Sequence, residues 1–143
     1  MDKFKMIASV YLLFRQGENI LLSRRFNTGY EDDKYGLVAG HVDEGESLLQ
    51  AAAREAKEEA GVAIQPNHLI FKTAMHRRQN DIRVDFFFEP SEWSGEPTNA
   101  EPDKCSGLQW FPVDNLPENT IPYIRQAIEC SQKGIPYSEF GWK

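Results

Sequence analysis

The stretch GHVDEGESLLQAAAREAKEEAGV, residues 40–62, carries five glutamates and one arginine. Four of its apolar residues recur at spacings of four, three and four, as on one face of an α-helix: Leu49, Ala53, Ala56 and Ala60. The pattern predicts a helix over residues 47–60. Ser47 is suited to cap its first turn, and Gly61 is suited to end it. We expect the rest of the fold to be built around this loop and helix.

Three glutamates of the predicted helix lie three and four residues apart, so Glu55, Glu58 and Glu59 share one patch beside the apolar stripe. Like charges at this spacing repel each other, so a patch of this kind needs a reason. Mg²⁺ is held by a few carboxylates together with water and substrate phosphates, and the patch therefore predicts a site for a divalent cation. The alternative is a solvated acidic helix face, which is how charged helix faces commonly behave.

The spacing of the whole segment decides between these alternatives. Its fixed positions are, in order, Gly40, Glu46, Arg54, Glu55, an apolar Ala56, Glu58, Glu59, Gly61 and an apolar Val62. With these residues at these spacings the segment resembles the Nudix box. A match of this kind arises by chance at roughly one in 10⁸ start sites at ordinary residue frequencies. Ala56 is smaller than the Ile, Leu or Val common at its position, which bears on core packing more than on chemistry.

The resemblance implies hydrolysis of a nucleoside diphosphate linked to a further group, with Mg²⁺ as cofactor and Mn²⁺ as a substitute. The implied metal ligands are Gly40, Glu55, Glu58, Glu59 and Glu101, the last matched to a glutamate that a later loop supplies in this family. Which of the glutamates is the general base stays open at this point. Arg54 is expected to orient the carboxylates by charge-assisted hydrogen bonds. Glu46 is expected to brace the loop or to add a ligand.

The second half of the chain resembles MutT-like nucleoside triphosphate diphosphatases through residues 93–97, 99–105, 110–111 and 116–117. Family members that act on ADP-sugars or dinucleoside polyphosphates carry a proline or a tyrosine downstream of the box, and the corresponding window here, residues 77–80, has neither. The resemblance favours a nucleoside triphosphate, including an oxidised or non-standard one, cleaved to monophosphate and pyrophosphate. An ADP-ribose or ADP-sugar substrate is the first alternative, and a noncatalytic nucleotide-binding domain is the second.

Five basic residues outside the box are candidate substrate contacts: Arg24, Arg25, His41, Arg77 and Arg78. The first two end a predicted strand, His41 follows the glycine that opens the box, and the last two lie in the only dense basic cluster of the sequence. In an acidic chain such groups are candidate anion contacts. Ordinary surface positions are the alternative for each of them.

The composition limits the classes of partner. A chain of 143 residues with a net charge of −6 is expected to form one domain and to bind a small nucleotide rather than extended nucleic acid, which needs clustered Lys and Arg. The same charge disfavours an RNA-end pyrophosphohydrolase. We expect no membrane partner and a cytoplasmic protein, since no stretch reaches 18 apolar residues. We expect a monomer or homodimer, with Cys105 and Cys130 reduced.

The order of predicted elements is hairpin, strand, helix, hairpin, strand, helix. The first hairpin pairs residues 4–15 with 20–25, and the second pairs 69–76 with 82–89. A strand over 105–113 and a helix over 120–133, capped by Thr120, complete the chain. The predicted fold class is α/β of the α+β kind, an α/β/α sandwich in which helices flank one mixed sheet.

Overall fold

The computed structural model describes residues 2–143. Its strands are β1 Ile7–Leu12, β2 Arg15–Gln16, β3 Asn19–Arg25, β4 Tyr35–Gly36, β5 Val38–His41, β6 Leu69–Arg78, β7 Ile82–Pro90, β8 Cys105–Pro112 and β9 Tyr137–Phe140. Its helices are α1 Leu48–Ala60 and α2 Pro122–Lys133, with a short 3-10 turn at Pro66–His68.

The strands form two sheets rather than the one predicted. A five-stranded mixed sheet has the order β5-β1-β7-β6-β9, in which β1 runs parallel to β7 and β9 runs parallel to β6. A four-stranded sheet joins β2, β3 and β4, with β8 paired to β3. The second predicted hairpin is confirmed as β6 and β7, although both strands run slightly further than expected.

Strand β1 separates two hydrophobic cores, because its side chains alternate between the faces of the five-stranded sheet. Val10 and Leu12 pack in the core beneath α1, and Tyr11 and Leu13 pack in the core beneath α2. The two helices therefore cover opposite faces of this sheet. The predicted sandwich of helices around a mixed sheet is confirmed in this respect.

Helix α1 begins and ends where the sequence predicts. The Ser47 side chain accepts from the backbone of Gln50 while the Gln50 side chain accepts from the backbone of Ser47, and Gly61 ends the helix at φ 70°. The predicted apolar stripe is shifted, because Leu49 and Ala53 are only partly buried. The innermost face consists of small side chains: Ala51, Ala52, Ala56 and Ala60 are each 0% exposed.

The first predicted hairpin is confirmed only in part, and the predicted cap of α2 is wrong. Strand β1 does not pair with β3, and Leu13 still donates to the Phe88 carbonyl of β7 at 2.8 Å. The hairpin with β3 begins only after that residue and contains the two residues of β2. Thr120 does not cap α2, since its hydroxyl donates to the Pro117 carbonyl at 2.7 Å and Ile121 occupies the N-cap position. Strand β9 was not predicted, because a four-residue segment is too short for its alternation to be distinctive.

Two further observations concern the chain as a whole. Cys105 and Cys130 are free thiols in the described part of the chain, as predicted. No helix within residues 2–143 is long and apolar enough to cross a membrane.

Candidate active site

A cavity of about 750 Å³ lies at the β5 edge of the five-stranded sheet. It is bounded by α1, by the end of the β6–β7 hairpin, by the loop between β3 and β4, and by the first turn of α2. The residues predicted as metal ligands all line it: Gly40, Glu55, Glu58, Glu59 and Glu101. The fold therefore brings a helix, a strand and a later loop together at one acidic wall.

Gly40 on β5 leaves room for the Glu55 carboxylate beside the strand. Its backbone packs directly against the Glu55 carboxylate, and a Cβ atom at this position would collide with that group. Glu55 itself is only 9% exposed. A side chain at position 40 would therefore displace the Glu55 carboxylate from its place against the strand.

Arg54 ties the acidic groups of the loop and the helix together. Its guanidinium donates to both carboxylate oxygens of Glu46, at 3.0 and 2.7 Å, to Glu55 at 2.7 Å and to Glu58 at 3.1 Å. It also donates to the His41 carbonyl at 2.9 Å, which fixes the edge of β5. These hydrogen bonds, that with Glu46 foremost, hold the pKa of Arg54 above its ordinary range. Arg54 therefore positions the carboxylates.

Glu46 belongs to the loop that precedes α1. Its carboxylate accepts from the Asp43 backbone N–H at 2.7 Å in addition to the Arg54 guanidinium. The hydrogen bond from Arg54, followed by that from Asp43, lowers the pKa of Glu46. Glu46 is not among the residues that line the cavity. Its contacts are those of a brace between loop and helix.

Glu59 is the most perturbed carboxyl group of the site. Burial, followed by the hydrogen bond and charge of Glu55, raises the pKa of Glu59 to about 9, with a further contribution from Glu101. The backbone N–H of Ala39 donates to Glu59 at 3.3 Å and opposes this rise in pKa. Burial and the neighbouring Glu55 therefore both favour the protonated form of Glu59 when no cation is bound.

The donor set fits a divalent cation such as Mg²⁺, which prefers oxygen ligands. Four carboxylates and the backbone of Gly40 line one cavity. Burial and the neighbouring carboxylates raise the pKa of one of them, Glu59, and a bound cation would offset this effect. Within residues 2–143 no three acidic, His or Cys groups converge as a ready-made metal site. In this arrangement Arg54 donates to one oxygen of Glu55 and to both oxygens of Glu58, so the second oxygen of Glu55 is not engaged by Arg54.

A second part of the cavity lining, called the basic and aromatic wall, is formed by Arg77, Tyr11 and Tyr123. Arg77 is only 4% exposed and pairs with the fully buried Asp85 at 2.7 Å. Its guanidinium lies 3.8 Å from the centre of the Tyr123 ring and donates to the Tyr11 hydroxyl at 3.3 Å. Burial is the main reason that the pKa of Tyr11 is raised well above its ordinary value. Asp85 therefore balances the charge of Arg77 in this wall.

Of the five candidate substrate contacts, three line the cavity: Arg25, His41 and Arg77. Arg25 is held by the Tyr30 carbonyl at 2.8 Å. Arg24 points to the other face of its strand and lies 3.6 Å from Asp33. Arg78 likewise alternates away from Arg77 and lies 5.5 Å from the centre of the Trp142 ring.

The cavity also contains residues that the sequence analysis did not single out: Ser9, Tyr11, Tyr30, Gln79, Arg83 and Tyr123. Arg83 contacts His41 Nε2 at 2.9 Å, and Tyr30 donates to Gln79 at 3.0 Å across the mouth of the cavity. Ser9, Tyr11 and Arg83 lie on strands, so the alternation of strand side chains would have found these three once the pairing of β1 with β5 and β7 was known. The other three lie in loops or on α2, where no such pattern applies.

Comparisons with known proteins agree on the family. The family model described as NUDIX domain matches residues 3–129. The chain is 32% identical over 126 residues to the NAD-capped RNA hydrolase NudC of Stutzerimonas stutzeri, which covers 87% of this chain and 42% of that protein. It is 29% identical over 115 residues to the phosphatase NudJ of Escherichia coli, which covers 73% of each. The chain thus spans less than half the length of this NudC relative.

A solved structure supports the same family. The MutT NUDIX hydrolase from Burkholderia pseudomallei matches with a TM-score of 0.80 and 27% identity, over 88% of this chain and 98% of that chain. The predicted fold class is thereby confirmed. The structural likeness is to a MutT protein and the sequence likeness is to NudC and NudJ, so the comparisons divide on the subgroup.

Proposed function

The chain belongs to the Nudix family, and we propose on this basis that it is a metal-dependent pyrophosphohydrolase of a nucleoside diphosphate linked to a further group. The observation that carries the proposal is the contact of Gly40 with the Glu55 carboxylate, which leaves room for helix carboxylates beside a bare strand. A solvated acidic helix face would not require a carboxylate packed against the backbone of a strand. Nudix enzymes typically use a divalent metal and bind small nucleotide-linked substrates.

Different residues of the chain would bind the cation, orient its ligands and hold the substrate in such a reaction. Glu55, Glu58, Glu59 and Glu101 would hold the cation, which when bound neutralises phosphate charge and lowers the pKa of water. Arg54 keeps Glu55 and Glu58 oriented through charge-assisted hydrogen bonds. One of the four glutamates accepts the proton of the attacking water. The basic and aromatic wall holds the nucleoside end of the substrate away from the acidic wall.

We propose a nucleoside triphosphate as the substrate, cleaved to monophosphate and pyrophosphate. The MutT-like structural neighbour and the absence of proline and tyrosine from residues 77–80 support this choice. A dinucleotide or ADP-ribose-type substrate is the second candidate. The likeness to NudC and a cavity of about 750 Å³, large for a single nucleoside, favour it. The net charge of −6 disfavours long RNA as a partner.

The test is a panel of nucleotides incubated with Mg²⁺, with the products separated by chromatography. The panel contains the common and 8-oxo nucleoside triphosphates, ADP-ribose and NADH. Turnover of a triphosphate to monophosphate and pyrophosphate supports the first candidate, and release of AMP from ADP-ribose or NADH supports the second. Turnover that persists in excess EDTA would contradict the metal-dependent reaction itself.

A matched variant connects the activity to the acidic wall. Glu58→Gln removes a charge but keeps the shape of the side chain, so we expect kcat to fall by about 10² or more, the usual loss on removing a key electrostatic group. The folded state should be retained, because the Glu58 side chain is 48% exposed. Near-normal kcat in this variant would show that Glu58 is not a ligand of the catalytic metal. A protein that binds nucleotides but turns over none of them would be a noncatalytic Nudix domain.

A further inference from the structure

Ser9 is a polar residue in an unusual place. It lies on β1 between His41 of β5 and Asp85 of β7, and it is only 2% exposed. Its hydroxyl has no hydrogen-bond partner among residues 2–143, yet the residue lines the cavity. By strand alternation Ser9 lies on the same face as Tyr11, the face that forms the basic and aromatic wall.

A buried hydroxyl without a partner is unfavourable and rare. Thr73 on β6 provides a comparison, because its hydroxyl is also buried, at 1% exposed, and also lacks a partner among the described residues. Thr73 does not line the cavity. Of these two residues, only Ser9 lines the cavity that a substrate would enter.

The charges near Ser9 indicate what kind of group it meets. Arg77 is paired with Asp85 at 2.7 Å, and Arg83 is paired with Asp81 at 2.7 and 3.1 Å. Both neighbouring guanidinium groups are therefore balanced by carboxylates before any substrate arrives. A phosphate would gain little from this part of the cavity, whereas an uncharged polar group needs no counter-charge.

The cavity that Ser9 lines also has an apolar part. The deep part of the cavity is lined by Leu37, Ile121, Tyr123 and Ile124, each of them less than 10% exposed. Gln79 adds a fixed donor at the rim. Its Oε1 accepts from Arg77 and from Tyr30, and because arginine only donates, the Gln79 amide nitrogen has to be the group that remains available.

We propose that the Ser9 hydroxyl is a specificity contact for the nucleoside half of the substrate, which hydrogen-bonds an uncharged polar group of the base or sugar. This inference rests on the proposed function, in that it assigns the nucleoside to the basic and aromatic wall and the diphosphate to the glutamates. Ser9 lies outside residues 40–62 and belongs to none of the ion pairs of the cavity. Ser9 would thus help to select which nucleoside is accepted, while the acidic wall handles the diphosphate.

The test compares Ser9→Ala with Thr73→Val, since each change removes one buried hydroxyl and little else. We expect neither to lower the melting temperature, because no hydrogen bond within the described chain is lost. Binding of AMP, GMP, CMP, UMP and dTMP is measured by calorimetry in EDTA, so that no turnover or metal is involved. For the monophosphate that binds wild type best, Ser9→Ala should weaken affinity about 10-fold, and Thr73→Val should leave it unchanged.

Inorganic pyrophosphate, used as an inhibitor of turnover with Mg²⁺, separates the nucleoside contact from a phosphate contact. Its inhibition constant should be the same in wild type and Ser9→Ala. An equal loss of affinity for pyrophosphate would place a phosphate on Ser9 and overturn the proposal. Unchanged monophosphate affinity in Ser9→Ala, or no monophosphate binding to wild type at millimolar concentration, would overturn it as well.

The same data distinguish this inference from the proposed function. Monophosphate binding that depends on Ser9, in a protein that hydrolyses no nucleotide of the panel, would uphold the nucleoside contact and refute the pyrophosphohydrolase. Hydrolysis with kcat/KM unaffected by Ser9→Ala would uphold the pyrophosphohydrolase and refute the nucleoside contact of Ser9. A melting temperature that falls by several degrees in Ser9→Ala but not in Thr73→Val would assign the hydroxyl a structural role and overturn the specificity role.

Discussion

Replacing Glu59 by glutamine in the metal-free protein tests whether the acidic wall is strained without a cation. The folded chain holds a proton on Glu59 up to about pH 9, against 4.5 for an ordinary glutamate. Between these two values the folded state binds one more proton than the unfolded state, so stability falls as pH rises. Below pH 4.5 both states are protonated and the effect vanishes.

The magnitude follows from the width of this window. At pH 7 the gap above 4.5 is about 2.5 pH units at about 1.36 kcal/mol each, which gives a destabilisation of about 3 kcal/mol as an upper value. Glutamine has a similar shape and no proton to acquire, so Glu59→Gln should recover most of this free energy. In a domain of this size that corresponds to a melting temperature roughly 10 °C higher at pH 7.

The assay is a set of thermal melts in EDTA from pH 5 to pH 9 at constant ionic strength. The gap between Glu59→Gln and wild type should be small at pH 5 and should widen steadily to pH 9. Glu58→Gln, on the same helix but with a half-exposed side chain, is the matched control and should keep the wild-type pH dependence. A Glu59→Gln gap that is the same at every pH would refute the reasoning.

Three more predictions concern the same cavity. The rise in melting temperature caused by Mg²⁺ should be larger at pH 8.5 than at pH 6, because the cation has to displace the proton of the buried carboxyl group, and a shift independent of pH would contradict this. Gly40→Ala should lower kcat/KM by about 10² or more, because its Cβ collides with Glu55, whereas Gly107→Ala, with open space around it, should be near wild type in the same assay. Asp85→Asn leaves the buried Arg77 unpaired and should cost about 3–5 kcal/mol in urea unfolding, and a loss below 1 kcal/mol would show that the pair is solvated.

The sequence predicts the parts of this molecule that depend on local patterns. The ends of α1 follow from Ser47 and Gly61, since capping is a matter of neighbouring residues. The β6–β7 hairpin follows from alternation around a polar turn, and the family follows from the spacing of the box. The acidic wall could be predicted because four of its five members lie within residues 40–59.

The sequence does not predict the parts that depend on pairing between distant strands. Strand β1 reads like the first arm of a hairpin, but its partners are β5 and β7, the latter about 75 residues away. Ser9 looks like a surface residue until both neighbours are placed beside it. Arg77 and Arg78 are alike in sequence, and only the register of β6 decides that the first faces the cavity and the second faces outward.

The alanine face of α1 has a consequence for engineering. Ala51, Ala52, Ala56 and Ala60 touch the sheet through single methyl groups, so a larger residue there has to lift the whole helix. Glu55, Glu58 and Glu59 of the acidic wall lie on the same helix and would move with it. Selection for a changed substrate range should therefore leave this face untouched. Variation is better directed to the loop over residues 26–34 and to the tip of the β6–β7 hairpin, where a change of shape alters the cavity without shifting the glutamates of α1.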